Sequence, residues 1–352
     1  MLKGKKKLEE VPPKADNRPL SNIDFSALLN EPAKDTEPEL PIAKTAGLGE
    51  LIDESYTLLR AGNFERVTLL AKRAAFMDLN SSLPLAIQKC ADFWLEKKRQ
   101  YNFKEANVRG DFLMESWQAF IKIVVKRLDT DVDRAIFCIK SYVFAQIVSE
   151  YERQLKLADS FELYLKLGRA YKIKGEYDMA INAYSDAVAM QKVSSQALAE
   201  LADCYAIIDE EDKAKVLFRE AFYHDAGEID LALLESSLIL NLKERVKALG
   251  LESEFLNEWM AVYGVVWGVF RVARELKPME YQKLNQNIHL LRTEYTEKAS
   301  KKAKPLLLYR LFWFIDYHRA VLDDKTMAEE YIKKALLEIR FIDERIYKDY
   351  RI

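Results

Sequence analysis

Two stretches of the chain share one residue pattern. Residues 164–187 read YLKLGRAYKIKGEYDMAINAYSDA, and residues 198–221 read LAELADCYAIIDEEDKAKVLFREA, so their first residues are 34 positions apart. A fixed period of this length predicts a stack of repeated units. The positions that match after the shift are Tyr164 and Leu198, Leu167 and Leu201, Gly168 and Ala202, Tyr171 and Tyr205, Ala180 and Ala214, Tyr184 and Phe218, and Ala187 and Ala221.

Each stretch predicts two helices joined by a turn. Apolar or small residues at i, i+3, i+4 and i+7 mark one face of a helix. Gly168 and Ala202 occupy that face, and we expect the neighbouring helix to approach closely at both. Gly175 suits the C-terminus of the first helix, whereas Asp209 stands at the equivalent turn of the second copy, which has no glycine.

The pattern resembles the tetratricopeptide repeat (TPR) family, whose signature is W-x2-L-G-x2-Y, then A-x3-F, then P. The resemblance covers residues 161–227, with the best repeats at 161–194 and 195–228. Tyr164 stands for the tryptophan, and Lys192 and Ala226 replace the closing proline. The resemblance implies a right-handed α-solenoid whose first helices line a concave surface for protein partners.

Weaker copies of the pattern predict further helix pairs on both sides of these repeats. Near the N-terminus, Gly62 marks a turn between two helical patterns, and near the C-terminus Ala328 and Ala335 have the spacing of a second helix. At least three repeats are needed for a stable stack. We therefore predict an all-α protein of about fourteen helices, with a TPR-like solenoid at 47–352.

The first 46 residues read as a disordered tail rich in proline and lysine. They contain six of the nine prolines, and few apolar residues apart from the segment 21–29. Ser21 can cap a short helix there, with Phe25, Leu28 and Leu29 on one face. The segment is either a motif that folds onto a groove or a remnant of linker, and the sequence does not decide between them.

Composition and charge exclude several classes of partner. The net charge is -2, so no global polyanion partner is expected. Basic runs at 3–7 and 298–304 lack the interleaved aromatic residues that stack on bases, and we expect no nucleic-acid binding. The longest apolar runs, such as 260–270, are too short to span a bilayer. Without a secretory signal, and with Cys90, Cys138 and Cys204 expected as buried thiols, the sequence favours a cytoplasmic protein.

Motifs for catalysis, metal binding and cofactor binding are missing from the sequence. The three histidines lack a second ligand at metal spacing, and no phosphate-binding loop or nucleophile elbow occurs. We therefore expect a non-catalytic protein without metal or cofactor.

The resemblance implies a partner-binding face on the first helix of each strong repeat. The side chains beside the packing positions there are our candidate partner-binding residues. We expect Arg169 and Lys172 to lie outside the core and to contact an acidic or carbonyl-rich partner segment, because the i, i+3 spacing places both on one face. Leu165 and Glu200 stand where family members that grip chaperone tails carry lysine or asparagine, so a chaperone-tail adaptor is not expected. The candidates are Glu162, Lys166, Arg169, Lys172, Gln196 and Asp203.

Two functional hypotheses follow. The first is an adaptor or scaffold that holds a peptide or helix on its concave face. The second is a structural subunit of a larger assembly, of the kind found in bacterial envelope and motility machines, which packs through its repeats and its aromatic C-terminal half. The second hypothesis allows an oligomer, and it relies on Trp259, Trp267, Phe312, Trp313 and Phe314.

Overall fold

The computed structural model describes residues 47–191, 193–251, 253–270, 276–320 and 325–351, and in these ranges the chain forms helices and no β-strand. The all-α prediction is thus confirmed. The chain divides into two units, Met1–Gly47 and Leu48–Ile352, and the described helices all lie in the second. The predicted tail, with its segment 21–29, lies outside the described residues.

The described ranges contain fifteen α-helices that pack mainly on their neighbours in the sequence. Five-residue π-helical and three-residue 3₁₀ segments join some of them. The helices are α1 Leu48–Ala61, α2 Phe64–Met77, α3 Leu83–Asn102, α4 Arg109–Ala119, α5 Asp133–Leu155, α6 Phe161–Lys174, α7 Tyr177–Met190, α8 Ser195–Ile207, α9 Glu211–Asp225, α10 Ser237–Ala248, α11 Leu256–Val266, α12 Pro278–Thr296, α13 Ala303–Ala320, α14 Lys325–Ile342 and α15 Glu344–Arg351.

The two strong repeats form the helix pairs α6–α7 and α8–α9, as the period predicts. Serine caps both first helices: the Ser160 hydroxyl accepts from Leu163 N at 3.5 Å, and the Ser194 hydroxyl accepts from Ala197 N at 3.3 Å. Such caps satisfy amides that the first helical turn leaves unpaired. Because both helices begin at the same point of the period, equivalent residues point in equivalent directions.

Gly168 lies at a tight helix contact, as expected. A Cβ atom built on Gly168 would come within 2.6 Å of Cε1 in the Tyr184 ring. Real Cβ atoms do not approach carbon this closely, so only glycine fits between α6 and α7 without displacing the ring. Ala202 is fully buried in α8. The weaker pairs α1–α2 and α13–α14 also pack together, and Ala328 and Ala335 are buried there.

The turns between paired helices differ in backbone strain. Gly175 ends α6 with φ +91°, and Asp209 takes the same left-handed conformation after α8 with φ 62°. In both repeats the following amide returns to the helix, Glu176 N to Tyr171 O and Glu210 N to Tyr205 O, each at 2.9 Å. Residues other than glycine are disfavoured in this conformation, so the strain falls on Asp209.

Substitutions at these two turns are expected to shift stability in opposite directions. Gly175→Ala should lower the free energy of unfolding by about 1 kcal/mol, since open space surrounds the position and only backbone strain is added. Asp209→Gly should raise it by up to about 1 kcal/mol, reduced by the greater freedom of glycine in the unfolded chain. Urea unfolding monitored by circular dichroism measures both changes in the free energy of unfolding. Equal signs for the two changes would contradict the matched turns.

Helix α8 lies between two apolar clusters. One cluster runs from α1 to α8 and includes Ala197, Leu201 and Cys204, while the other runs from α8 to α15 and includes Leu198 and Ala202. Every residue from 197 to 204 is buried. The helix is therefore covered on all sides, and its polar residues must find partners inside the protein.

The flanking helices depart from strict neighbour-to-neighbour stacking. Helix α1 packs on α5 as well as on α2, and α11 contacts α9, α13 and α15. In an ideal repeat array each unit contacts only its neighbours. The C-terminal aromatic residues Phe312 and Trp313 are buried within this packing, at 0% and 1% exposure.

Candidate partner-binding face

The candidate residues of α6 and α8 form two ion pairs between consecutive repeats. Arg169 binds Glu200 through two nitrogens, with its Nη2 2.6 Å from Oε1 and its Nε 2.9 Å from Oε2. Lys172 Nζ lies 2.6 Å from Asp203 Oδ2. Both pairs join residues 31 positions apart, three fewer than the 34-residue period, and residues three apart share one helix face. The two pairs therefore fix the register of α6 against α8.

Glu200 is the centre of a buried polar network. Its side chain is fully buried, and it also accepts from Tyr184 Oη at 2.9 Å and from Gln196 Nε2 at 2.7 Å. Burial first, and then the Glu200 charge, raise the pKa of Tyr184 well above its usual value. Burial lowers the pKa of Arg169, but the hydrogen bonds and charge of Glu200 outweigh it and raise that pKa overall. The guanidinium thus stays charged.

The expectation that Arg169 and Lys172 lie outside the core is wrong for Lys172. That residue is 4% exposed, and its ammonium donates to both Asp203 and the Leu233 carbonyl oxygen, at 2.6 and 2.7 Å. Arg169 keeps a side-chain exposure of 32%. A buried charge needs paired and hydrogen-bonded partners, and Lys172 finds them within the chain.

A segment that follows the second repeat lies across this face, and we call residues 229–236 the cis segment. Asp203 accepts backbone amides from Glu235 at 2.9 Å and from Ser236 at 2.8 Å. Gln196 Oε1 accepts the amide of Asp230 at 2.7 Å. Lys172, Gln196 and Asp203 were expected to bind a partner. They instead hold the backbone of a segment of the same chain.

The two remaining candidates lie nearer solvent. Lys166 Nζ pairs with Asp111 Oδ2 of α4 at 2.8 Å, and both side chains are about 40% exposed. Glu162 is exposed in the first turn of α6 and accepts the Ser160 hydroxyl at 3.0 Å. Its own backbone amide and Ser160 lower the pKa of Glu162. Five of the six candidates thus bind protein partners beyond their own helical turn, whereas Glu162 accepts a side-chain hydrogen bond from the nearby Ser160.

An open cavity of about 530 Å³ continues the face beside the cis segment. Helices α4, α5 and α6 and the cis segment line it. Sequence reasoning missed the contributions of α4 and the cis segment. The acids Glu200 and Asp203, 31 positions after Arg169 and Lys172, were the available signal for the ion pairs. The wall of the cavity includes Met114, Glu115, Lys166, Ile173, Leu233 and Glu235.

The described residues contain no cluster of three or more histidine, cysteine, aspartate or glutamate side chains able to hold a metal ion. Their helices include none that is both long and apolar enough to cross a bilayer. In the basic run 298–304, Lys302 pairs with Glu258 at 3.3 Å and Lys304 with Asp343 at 2.8 Å, so acids of the same chain neutralise both lysines.

The three cysteines are buried free thiols, as expected. Burial raises the pKa of both Cys90 and Cys204 to about 12. Because the thiolate is the reactive form, we predict no reaction with dithionitrobenzoate at pH 8 in the native protein and full reaction after unfolding in guanidinium. Rapid modification of the native protein would contradict the buried placement.

The same raised pKa values predict that the stability of the protein depends on pH. Unfolded thiols have a pKa of about 8.5, so the native state retains protons that the unfolded state loses. The free energy of unfolding should therefore fall as the pH rises above about 9.

No protein-family model matches the chain, and no curated protein matches its sequence.

Proposed function

We propose that this protein is a non-catalytic interaction module, a TPR-like right-handed α-solenoid that binds an extended or helical segment of a protein partner along the face of α6, in the cavity lined by α4, α5, α6 and the cis segment. The observation that supports the proposal is the cis segment. Its backbone is held by Lys172, Gln196 and Asp203, side chains from two successive repeats. Recognition through main-chain groups is a general way to hold an extended peptide.

The partner site in this proposal is the open cavity rather than the ion pairs themselves. The cis segment already occupies Lys172 and Asp203, whereas the adjoining cavity of about 530 Å³ has room for side chains of a second segment. Binding sites of a few hundred Å³ with apolar walls and a small number of polar groups are typical of recognition sites. Met114, Ile173 and Leu233 supply the apolar wall.

Capture with two matched tryptophan variants tests the proposal. Ala232 is exposed and lines the cavity, so Ala232→Trp should fill it without disturbing the core. Ala189 is exposed on α7, outside the cavity, and Ala189→Trp is the control. We expect the wild type and Ala189→Trp to capture the same proteins from the native cell. Ala232→Trp should fail to capture them. An identical set captured by all three would contradict binding at this face.

A second candidate function, a structural subunit that self-associates, is favoured by a different surface. Phe76 and Leu79, at and just after the end of α2, are 83% and 85% exposed, and Leu85 of α3 is 51% exposed beside them. Exposed apolar patches of this kind often mark contact surfaces. Lys72 and Asp78 flank the patch with opposite charges, which suits a second copy of the chain. The C-terminal aromatic residues Phe312 and Trp313 are buried and do not provide such a surface.

Light scattering after size exclusion separates the two candidates. An oligomer that dissociates in the Phe76→Ser, Leu79→Ser variant would favour the structural subunit. A wild-type monomer would favour the interaction module.

A further inference from the structure

We infer that the cavity beside the cis segment binds a lysine or arginine side chain of the partner segment, an inference that rests on the proposed function and names the chemistry of its ligand. The sequence alone predicted an acidic or carbonyl-rich partner segment for Arg169 and Lys172. The charges that face the cavity, counted with their partners, reverse that expectation.

The basic residues of the cavity are already neutralised from within the chain. Arg169 is bound through two nitrogens by Glu200, and Lys172 lies 2.6 Å from Asp203. Lys166 shares its charge with Asp111 at 2.8 Å. An acidic ligand would have to compete with carboxylates that are fixed at hydrogen-bond distance, two of which are fully buried.

Two acidic residues of the cavity lack a comparable partner. Within the described residues no cation pairs with Glu115, which is exposed on α4. Glu235 of the cis segment has a side-chain exposure of 60%, and its nearest cation, Lys172, is 3.9 Å away and engaged more closely by Asp203. The cavity therefore presents uncompensated negative charge at its solvent edge.

The apolar wall suits the stem of a long cationic side chain. Met114, Ile173 and Leu233 line the same cavity as the two glutamates. Lysine and arginine bury their methylene stems against apolar surface and keep the charged end near water or a carboxylate. Complementary charge at such a rim mainly sets the specificity and the rate of association.

A phage-displayed library of random dodecapeptides tests the inference on the full chain. Peptides are selected on the wild type and counter-selected on the Glu115→Gln, Glu235→Gln variant. Those recovered by the first and lost by the second should be enriched in lysine and arginine. For a synthetic peptide of this set, we expect the Kd to rise by about tenfold or more in the variant, and to rise with salt in the wild type.

The control variant, Glu65→Gln with Asp186→Asn, removes the same charge from exposed acids outside the cavity and should leave the Kd unchanged. Enrichment of acidic or neutral peptides would overturn the inference while leaving the proposed function standing, provided that Ala232→Trp abolishes their binding. Peptides that bind Ala232→Trp as well as the wild type would contradict both.

Discussion

Replacing Asp203 by alanine is expected to lower the free energy of unfolding by about 3–5 kcal/mol, because breaking one side of a buried ion pair leaves an uncompensated charge. Lys172 has a side-chain exposure of 3%, so water cannot take the place of the carboxylate. The change also removes the acceptor of the Glu235 and Ser236 amides. Urea unfolding of Asp203→Ala and the wild type measures the loss.

The double variant Lys172→Met, Asp203→Ala separates the buried charge from the lost hydrogen bonds. It removes the ammonium as well, so it should be more stable than Asp203→Ala alone although it contains one more substitution. At the other pair, Arg169→Met added to Glu200→Ala should restore less of the lost free energy of unfolding. Arg169 is 32% exposed, so water can hydrate it when the Glu200 carboxylate is removed. A double variant less stable than Asp203→Ala would contradict the account of a buried unpaired lysine.

Replacing Gly168 by leucine is expected to cost about 3 kcal/mol, near the upper end for overpacking. The ring of Tyr184 leaves no room for a Cβ atom, and the ring cannot swing aside because it is fully buried and its hydroxyl donates to Glu200. Thermal and urea unfolding measure the cost. We expect the Tyr184–Glu200 hydrogen bond to break as well, which should be visible as increased exchange of nearby amides.

Gly49→Leu provides the matched control for this substitution. Gly49 is exposed in α1 and a Cβ atom there meets nothing within 4 Å, so the change should be neutral or slightly stabilising through helix propensity. If Gly168→Leu unfolded like the wild type, the register of α6 against α7 would be wrong.

The 34-residue period was sufficient to predict the packing of the central repeats. It placed Gly168 at a tight contact, Ala202 in the buried interior and Gly175 at a helix end, because these positions depend on helical periodicity and on local backbone preference. Helical periodicity and local backbone preference act within one repeat or between repeats that are neighbours in the chain. Patterns of this range can be read from a single sequence.

The polar contacts of the face could not be predicted in the same way. Arg169 and Lys172 lie on one side of α6 whether that side meets solvent, a partner or the next repeat, and helical periodicity does not distinguish these environments. The cis segment is held through its backbone, as at Leu233 O and Ser236 N, so its residue types carry little trace of the contact. The long-range contact between α1 and α5 has no periodic signal either.

The double-sided burial of α8 bears on how this protein can evolve. Repeat proteins commonly gain and lose whole units, since each unit contacts only its neighbours in a standard way. The unit 195–228 does not meet that condition, because α8 serves two apolar clusters and carries Glu200 and Asp203, whose counterparts in the preceding unit are Lys166 and Arg169. Duplication or loss of this unit would join surfaces of unmatched charge. Variation among descendants should therefore concentrate in the outer helices, and the order of the two central units should be preserved.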